Sequence, residues 1–212
     1  MKRIIIDHQE IARQGQQLAQ QAQNEVDKQV GKYCMLELKN LDLLHDTLYS
    51  PMMDKIMVTI TSTGNLGLIW IFTAIILLMS SKHNDERSRI GCGILIALLL
   101  SIMIGNILIK NIAKRSRPFF HKNYKLLIKQ PWDYSFPSGH TLASFAAATV
   151  FFYMNPDVGA IALIYAALIA LSRLYLRVHF FTDVFFSMIL GTGLGMLAMF
   201  LYDSHFFGIL AR

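Results

Sequence analysis

Charged residues are scarce in this chain of 212 residues. They make up 16% of the sequence, whereas a soluble domain carries about 25%. The chain has two cysteines, Cys34 and Cys92, and Cys92 lies within an apolar stretch, which argues against a disulfide scaffold. With 5 prolines and 13 glycines, the sequence is neither collagen-like nor of low complexity. Apolar residues reach 54%, which excludes a disordered chain.

The scarcity of charge leaves five long stretches that contain no Asp, Glu, Lys, Arg or His. They are residues 56–81, 90–109, 141–156, 158–172 and 184–202. A helix needs about 20 mainly apolar residues to cross a bilayer, and the two shorter stretches reach that length if their helices include flanking residues. Hydrocarbon offers no partner to backbone N–H and C=O groups. The pattern therefore predicts an all-α fold, a polytopic membrane bundle of five transmembrane helices.

The N-terminal part differs in composition from the rest of the chain. Residues 1–35 are rich in glutamine and charge and predict a polar helical segment outside the bilayer, with an oligomerisation or regulatory helix as the alternative. Residues 36–55 are amphipathic and contain Pro51, which predicts an interfacial helix and turn. The membrane domain then covers residues 56–203, and residues 204–212 form a short tail. The oligomeric state stays open.

A basic segment follows the second apolar stretch. Between residues 110 and 131 there are seven lysines or arginines and no acidic residue. Lys110 and Arg117 are seven positions apart, so on a helix they would share one face. Taken alone, this segment is also typical of the basic, cytoplasm-facing end of a membrane helix.

A second polar cluster, Phe136-Pro137-Ser138-Gly139-His140, precedes the third apolar stretch. Proline and serine before an apolar run predict a helix start, with Ser138 as the N-cap. The free N–H groups and the positive end of the helix dipole attract an anion there, and Gly139 allows the backbone to approach it closely. His140 could then donate or accept a proton. A structural capping serine with a nearby histidine is the alternative.

The third cluster comprises Ser172 and Arg173, which end an apolar stretch, and His179 and Asp183, which precede the last one. His179 and Asp183 are four positions apart and would lie on one face of a helix, where the carboxylate could orient the imidazole. An oriented imidazole can act as a nucleophile or a base. A charge such as Arg173 at membrane depth is costly and marks a functional site. A structural His–Asp pair is the alternative.

The three clusters together resemble the signature of the type 2 phosphatidic acid phosphatase superfamily, which also includes vanadium haloperoxidases and glucose-6-phosphatase. All eleven signature letters occur in order. They are Lys110, Arg117 and Pro118; Pro137, Ser138, Gly139 and His140; and Ser172, Arg173, His179 and Asp183. The resemblance covers about residues 50–203 and leaves the N-terminal segment unexplained. Many members of the superfamily have six spans, so the resemblance implies a bundle of five to six transmembrane helices.

The resemblance implies a role for each matching residue. His179 would attack phosphorus and form a phosphohistidine, Asp183 would orient it, and His140 would protonate the leaving oxygen. The phosphoryl oxygens would be held by Lys110, Arg117, Ser138, the Gly139 N–H and Arg173. Fixed cations and N–H donors suit the charge that phosphoryl transfer spreads over these oxygens. We therefore expect no metal and no other cofactor.

The resemblance also implies the environment and the partners. We expect a multi-pass protein of the cell membrane whose active site lies on the extracytoplasmic face. Its partners would be the bilayer and a phosphorylated membrane lipid: undecaprenyl pyrophosphate, phosphatidylglycerophosphate or phosphatidate. No nucleic-acid partner is expected. A lipid phosphotransferase with the same intermediate and a non-catalytic lipid-binding protein are the alternative functions.

Further cations exceed what one phosphate needs. They are Lys114, Arg115, Lys122, Lys125, Lys129 and Arg177. One hypothesis is that some of them, Lys114 and Arg115 first, contact the second phosphate of a diphosphate lipid. The alternative is a general attraction of anionic lipids.

Overall fold

The computed structural model describes residue 18 and residues 31–81 and 85–204. The chain divides into two compact units, Met1–Asn40 and Leu41–Arg212. Residues 31–40 of the first unit and residues 41–48 of the second are helical. Most of the expected segments 1–35 and 204–212 lies outside the described residues. The proposed division into four segments therefore stays a prediction.

From residue 51 onward, the second unit consists of helices that begin at local sequence signals. They are α1 (Pro51–Thr63), a 3-10 turn (Asn65–Gly67), α2 (Leu68–Ser80), α3 (Glu86–Leu100, continued by the π-helical segment Ser101–Ile109 and by Lys110–Ala113), α4 (Pro118–His121), α5 (Gly139–Met154), α6 (Pro156–Tyr175) and α7 (Phe181–Asp203). The side chains of Ser50, Asp85 and Asn155 cap α1, α3 and α6 by accepting a backbone N–H three residues later.

The lengths and composition of these helices confirm an all-α, multi-pass membrane fold. Among the described residues, α3, α6 and α7 are each long and apolar enough to cross a bilayer, and α1 with α2 makes a fourth crossing if the bent pair is one span. Helix α5 has 16 residues, so it is about 24 Å long and shorter than the hydrocarbon layer.

The first apolar stretch, residues 56–81, is not one helix as expected. It breaks between α1 and α2, which are bent by 46°. Leu66 and Gly67 have positive φ angles of 53° and 68° at the break, a conformation that ends an α-helix. The backbone N–H groups of Gly64 and Gly67 bond the carbonyls of Thr61 and Gly64 instead, so the break leaves those two donors satisfied.

Helix α5 forms the centre of the bundle. Ala146, Ala147 and Val150 on this helix are fully buried, and α3, α6 and α7 pack around it. Two glycines allow α7 to approach closely: a Cβ at Gly191 or Gly195 would lie 2.5 Å from a backbone oxygen of α5. The first half of α5 is thereby held against the middle of α7.

The outer surface of the bundle is apolar. Large hydrophobic side chains on α2, α3, α6 and α7 are more than half exposed; they include Phe72, Ile76, Met79, Ile107, Ile161, Phe185, Ile189 and Phe200. A surface of this kind would be unfavourable in water but suits contact with lipid tails.

Candidate active site

The three polar clusters surround one cavity of 520 Å³. It lies where α3 ends, α5 begins, α6 ends and the loop before α7 passes. Six of the eight residues expected in the site line it: Lys110, Arg117, Gly139, His140, Arg173 and His179. Ser138 and Asp183 are fully buried, and neither is among the described residues that line the cavity.

Three cations converge on this cavity from separate elements. Lys110 lies in the last turn of α3, Arg117 immediately precedes α4, and Arg173 lies in the last turn of α6. Each is at most 6% exposed. Burying three like charges together is costly unless an anion compensates them, so this arrangement favours the binding of an anion in the cavity.

A residue missed in the sequence, Asp133, supplies part of that compensation. Its carboxylate forms ion pairs with Lys110 and with the Arg117 Nη2, the latter at 2.6 Å, and it lines the same cavity. Burial alone would raise its pKa, but the hydrogen bond and charge of Lys110, followed by Arg117, lower the pKa to about 2. One signal could have identified it, because Asp133 is the only acidic residue between Glu86 and Asp157.

Arg117 ties the basic segment to the loop before α7. Its Nη1 donates to the Val178 carbonyl at 2.7 Å and lies 3.1 Å from His179 Nε2, and its Nε donates to the Asp133 carbonyl at 2.8 Å. These bonds fix the guanidinium with one edge against the imidazole. An anion held by Arg117 would therefore lie next to the His179 ring.

His179 lies in the loop before α7, so it does not share a helix face with Asp183 as expected. Its Nε2 faces Arg117, and its Nδ1, 3.6 Å from Asp183 Oδ2, has no hydrogen-bond partner within the described part of the chain. Burial, followed by the charges of Arg117 and Arg173, holds the pKa of His179 well below its ordinary value. The ring is therefore neutral at neutral pH and retains a lone pair.

The Asp183 carboxylate is held by three other donors. Arg115 donates to Oδ1 at 2.6 Å, and both the Ser135 hydroxyl, at 2.5 Å, and the Phe180 N–H, at 2.9 Å, donate to Oδ2. The Arg115 guanidinium also stacks over the Phe180 ring at 4.1 Å from its centroid. Arg115 thus neutralises a buried carboxylate. Its contact with a second phosphate, one of the two hypotheses for the further cations, stays a prediction.

Ser138 occupies the N-cap position of α5, as expected, but its side chain does not cap the helix. The hydroxyl lies 3.0 Å from Thr141 Oγ1, and the Ser138 N–H donates to Ser187 Oγ at 2.8 Å. Ser187 in turn donates to the Asp183 carbonyl at 2.6 Å. Ser138 therefore links the start of α5 to α7, while Gly139 is the N-terminal residue of α5 that lines the cavity.

His140 and Arg173 contact the broken first span. His140 Nε2 lies 3.0 Å from Asn65 Oδ1, and Arg173 Nη1 donates to Thr61 Oγ1 at 2.6 Å. The Arg173 Nε is buried and, among the described residues, has no partner. An unpaired buried donor is costly, so this nitrogen favours binding of an acceptor from the cavity.

The further cations, those in excess of what one phosphate needs, differ in their interaction partners. Lys122 pairs with Asp42 at 2.7 Å, and Arg177 lies 3.4 Å from Asp46, both away from the cavity. Lys129 lines the cavity and is exposed. Within the described residues, no group of three or more His, Cys, Asp and Glu side chains has an arrangement that could hold a metal ion.

Residues 91–206, more than half of the chain, match the PAP2 superfamily. The chain belongs to the PAP2 superfamily. An undecaprenyl-diphosphatase of Sulfolobus acidocaldarius is 29% identical over 133 residues, which cover 62% of this chain and 62% of that protein. The undecaprenyl-diphosphatase BcrC of Bacillus subtilis is 27% identical over 149 residues, which cover 70% of this chain and 75% of that protein.

The fold agrees with this membership. The crystal structure of Aquifex aeolicus LpxE superimposes with a TM-score of 0.63 and 26% identity, over 77% of this chain and 94% of that one. The chain spans less than two thirds of the length of the Sulfolobus acidocaldarius relative. The region matched to the family contains all eight expected site residues.

Proposed function

We propose that the chain is a lipid phosphatase that releases phosphate from a membrane lipid through a phosphohistidine intermediate. The observation that carries this proposal is the cavity that Lys110, Arg117 and Arg173 line together with the buried His179 and with His140. Phosphoryl transfer requires a nucleophile, a proton donor and cations that stabilise the phosphoryl group.

The reaction follows from the placement of these groups. His179 Nε2 attacks phosphorus, an Nε2–P bond forms, and the bond from phosphorus to the leaving oxygen breaks as His140 donates a proton to that oxygen. Water then attacks the phosphohistidine and gives a proton back to His140. Phosphate leaves and His179 is restored. The Asp183 carboxylate, anchored by Arg115, would hold the Nδ1 side of the His179 ring.

The other wall of the cavity supports a lipid substrate. Leu66, Ile71, Leu98 and Ile102 line it beside the charged groups, and α2 and α3, which carry most of them, face the lipid. A phosphorylated headgroup could occupy the polar end while its chain contacts the apolar wall. We propose undecaprenyl pyrophosphate, phosphatidylglycerophosphate or phosphatidate as the substrate, in the cell membrane and with the site on the extracytoplasmic face.

Phosphate release tests this function. Detergent-purified protein would be assayed with the three lipids in the presence of EDTA, beside a His179→Ala variant whose folding is checked by its melting temperature. We expect release from at least one lipid and no release by the variant. Phosphate release that persists in His179→Ala would refute the phosphohistidine route, and no release by folded wild-type protein would refute the function.

The diphosphate hypothesis can be sharpened with Lys129, the further cation that lines the cavity. If Lys129 contacts a second phosphate, Lys129→Gln should lower turnover of a diphosphate lipid more than turnover of a monophosphate lipid with the same chain. Lys114→Gln provides a matched exposed control. An equal decrease on both substrates would favour general attraction of anionic lipids instead.

A further inference from the structure

The break between α1 and α2 brings a polar residue from the middle of an uncharged span to the cavity. Asn65 and Leu66 form part of the cavity wall, and Leu66 adopts a positive φ angle of 53°. A non-glycine residue in this region is strained and persists only where surrounding contacts enforce it. Strain of this kind, next to charged groups, points to a function for the break.

The break fits closely around His140. Asn65 Oδ1 lies 3.0 Å from His140 Nε2. On the same edge of the ring, a Cβ at Gly64 would lie 3.1 Å from His140 Cδ2. A side chain at position 64 would therefore press on the imidazole, and the glycine leaves room for the ring to face Asn65.

We propose that Asn65 is the positioning residue for His140, the proton donor of the reaction. This inference rests on the proposed function and names a group that the family signature does not contain. The Asn65 oxygen accepts the Nε2–H and holds the imidazole plane toward the cavity. With the Nε2–H bonded to Asn65, the transferred proton is the one on Nδ1. Protonated His140 gives this proton to the leaving oxygen, neutral His140 takes one back at Nδ1 from the attacking water, and the bond to Asn65 keeps one ring orientation through both transfers.

The charges around His140 explain why it needs such a partner. The titratable groups that face it are Lys110, Arg117, Arg173 and His179, from α3, the segment before α4, α6 and the loop before α7. The three cations disfavour a second proton on the imidazole. The side-chain oxygen of Asn65 accepts a hydrogen bond from the imidazole and so favours its protonated form. It adds no negative charge that would compete with a phosphate.

Leaving-group dependence separates this role from a structural one. A long-chain alkyl phosphate expels an alkoxide and needs a proton donor, whereas p-nitrophenyl phosphate expels a stable phenolate and needs little protonation. We expect Asn65→Ala to lower kcat on the alkyl phosphate by about 10- to 100-fold, and kcat on p-nitrophenyl phosphate less than about threefold. His140→Ala should show the same selectivity with a larger loss.

A matched control is Asn111→Ala, which removes an exposed carboxamide that bonds the Ile107 carbonyl on α3. It should change neither rate by more than about twofold. Equal losses on both substrates for Asn65→Ala, or no loss, would overturn the inference while the function stands. Wild-type protein that is inactive on both substrates would overturn the function and the inference together.

A second variant covers the case in which Asn65→Ala does not fold. Asn65→Asp has nearly the same shape but places a carboxylate against the imidazole, which favours its protonated form. The alkaline limb of the kcat profile should move upward by about one pH unit or more. A pH profile identical to that of wild type would contradict a contact between the two side chains during turnover.

Discussion

Two groups of basic residues in this protein have similar sequence surroundings but differ in their burial and in their partners. Lys110, Arg117 and Arg173 are buried around the cavity, whereas Lys122 and Arg177 form ion pairs with Asp42 and Asp46 at its outside. Both groups follow the ends of apolar stretches. They differ in what neutralises them. The two outer bases are paired with two carboxylates, those of Asp42 and Asp46. Among the described residues, Lys110 and Arg117 share the carboxylate of Asp133, and Arg173 has no ion pair.

This difference shows how to recognise a binding site for anions. An exposed base that already has a carboxylate gains little from a second anion, and such a pair contributes about 1 kcal/mol or less. Buried cations in excess of their partners gain much more, because each lacks both water and a counter-charge. Arg173 shows this excess, because its buried Nε has no hydrogen-bond partner and no ion pair among the described residues; the Nε of Arg177 also lacks a hydrogen bond, but Asp42 lies 3.8 Å from it. Substitutions in the two groups should therefore have very different effects.

The largest effect is expected for Arg173→Ala. Arg173 is held by Thr61, and no carboxylate among the described residues forms an ion pair with it. Under the proposed function, its charge would therefore stabilise the phosphoryl group. Loss of one such donor costs about 10²- to 10³-fold in kcat. The measurement is kcat and KM on the preferred lipid, with Thr61→Val to separate the loss of the supporting hydroxyl. A change of less than tenfold for Arg173→Ala would place the phosphate away from α6.

Much of this site could be expected from the sequence. Lys110, Arg173 and His140 flank apolar stretches, and a membrane helix can present such residues only at its two ends, so a common face follows from the alternation of spans. The all-α fold follows from the same uncharged stretches. The contacts between the site residues were less predictable. His179 lies outside α7, and its Nδ1 is 3.6 Å from Asp183.

Asn65, Asp133 and Ser135 were not identified from the sequence, and the physical reason is the same for all three. Asn65 lies in an uncharged stretch that indicated one straight helix, and its role depends on backbone angles at Leu66 and Gly67. Asp133 and Ser135 lie in a loop with no periodicity, and they reach their partners across long sequence separations. Contacts of this kind follow from packing, which local patterns do not determine.

The next effect in size concerns Arg115, which looked like one of the outer bases but neutralises the buried Asp183. Arg115→Ala would leave a buried carboxylate without a counter-charge, which destabilises the start of α7 and disturbs the His179 loop. We expect kcat to fall by roughly tenfold and the melting temperature to decrease. Arg115→Lys should restore part of both, because the charge remains.

Separate readouts distinguish this role from substrate binding. If Arg115 contacted the second phosphate of a diphosphate lipid, its loss would raise KM for that lipid and leave monophosphate turnover and melting temperature unchanged. A decrease of kcat on both lipids, together with a lower melting temperature, is the expected pattern.

A smaller effect is expected for Asp133→Asn, which removes the anion that occupies Lys110 and Arg117. A substrate phosphate must displace this carboxylate, so the variant should bind inorganic phosphate more tightly, by roughly three- to tenfold in its inhibition constant. Tighter inhibition would identify Asp133 as a competitor for the cations. Weaker inhibition would instead show that Asp133 organises them.

The same variant has a predicted pH signature. The pKa of Asp133 is lowered from an unfolded value of about 3.9 to about 2, so its stabilising effect is complete above the unfolded value and disappears as the pH falls through the folded one. Wild-type protein should therefore lose more stability than Asp133→Asn between about pH 5 and pH 2. Melting temperatures measured across that range check this, and parallel curves would contradict the ion pairs.

The smallest effect is expected for Lys122→Gln in the outer group. Lys122 is half-exposed and paired with Asp42, at a distance from the cavity residues that leaves the phosphate contacts unchanged. Loss of an exposed pair should lower stability by less than about 1 kcal/mol and alter kcat by less than twofold, and the stability difference should shrink further at high salt. A tenfold loss of activity without a stability change would mean that the outer bases also bind substrate. In that case, pairing with a carboxylate would not distinguish the two groups of basic residues. The anion site would instead extend from Arg173 outward to the pair of Lys122 and Asp42.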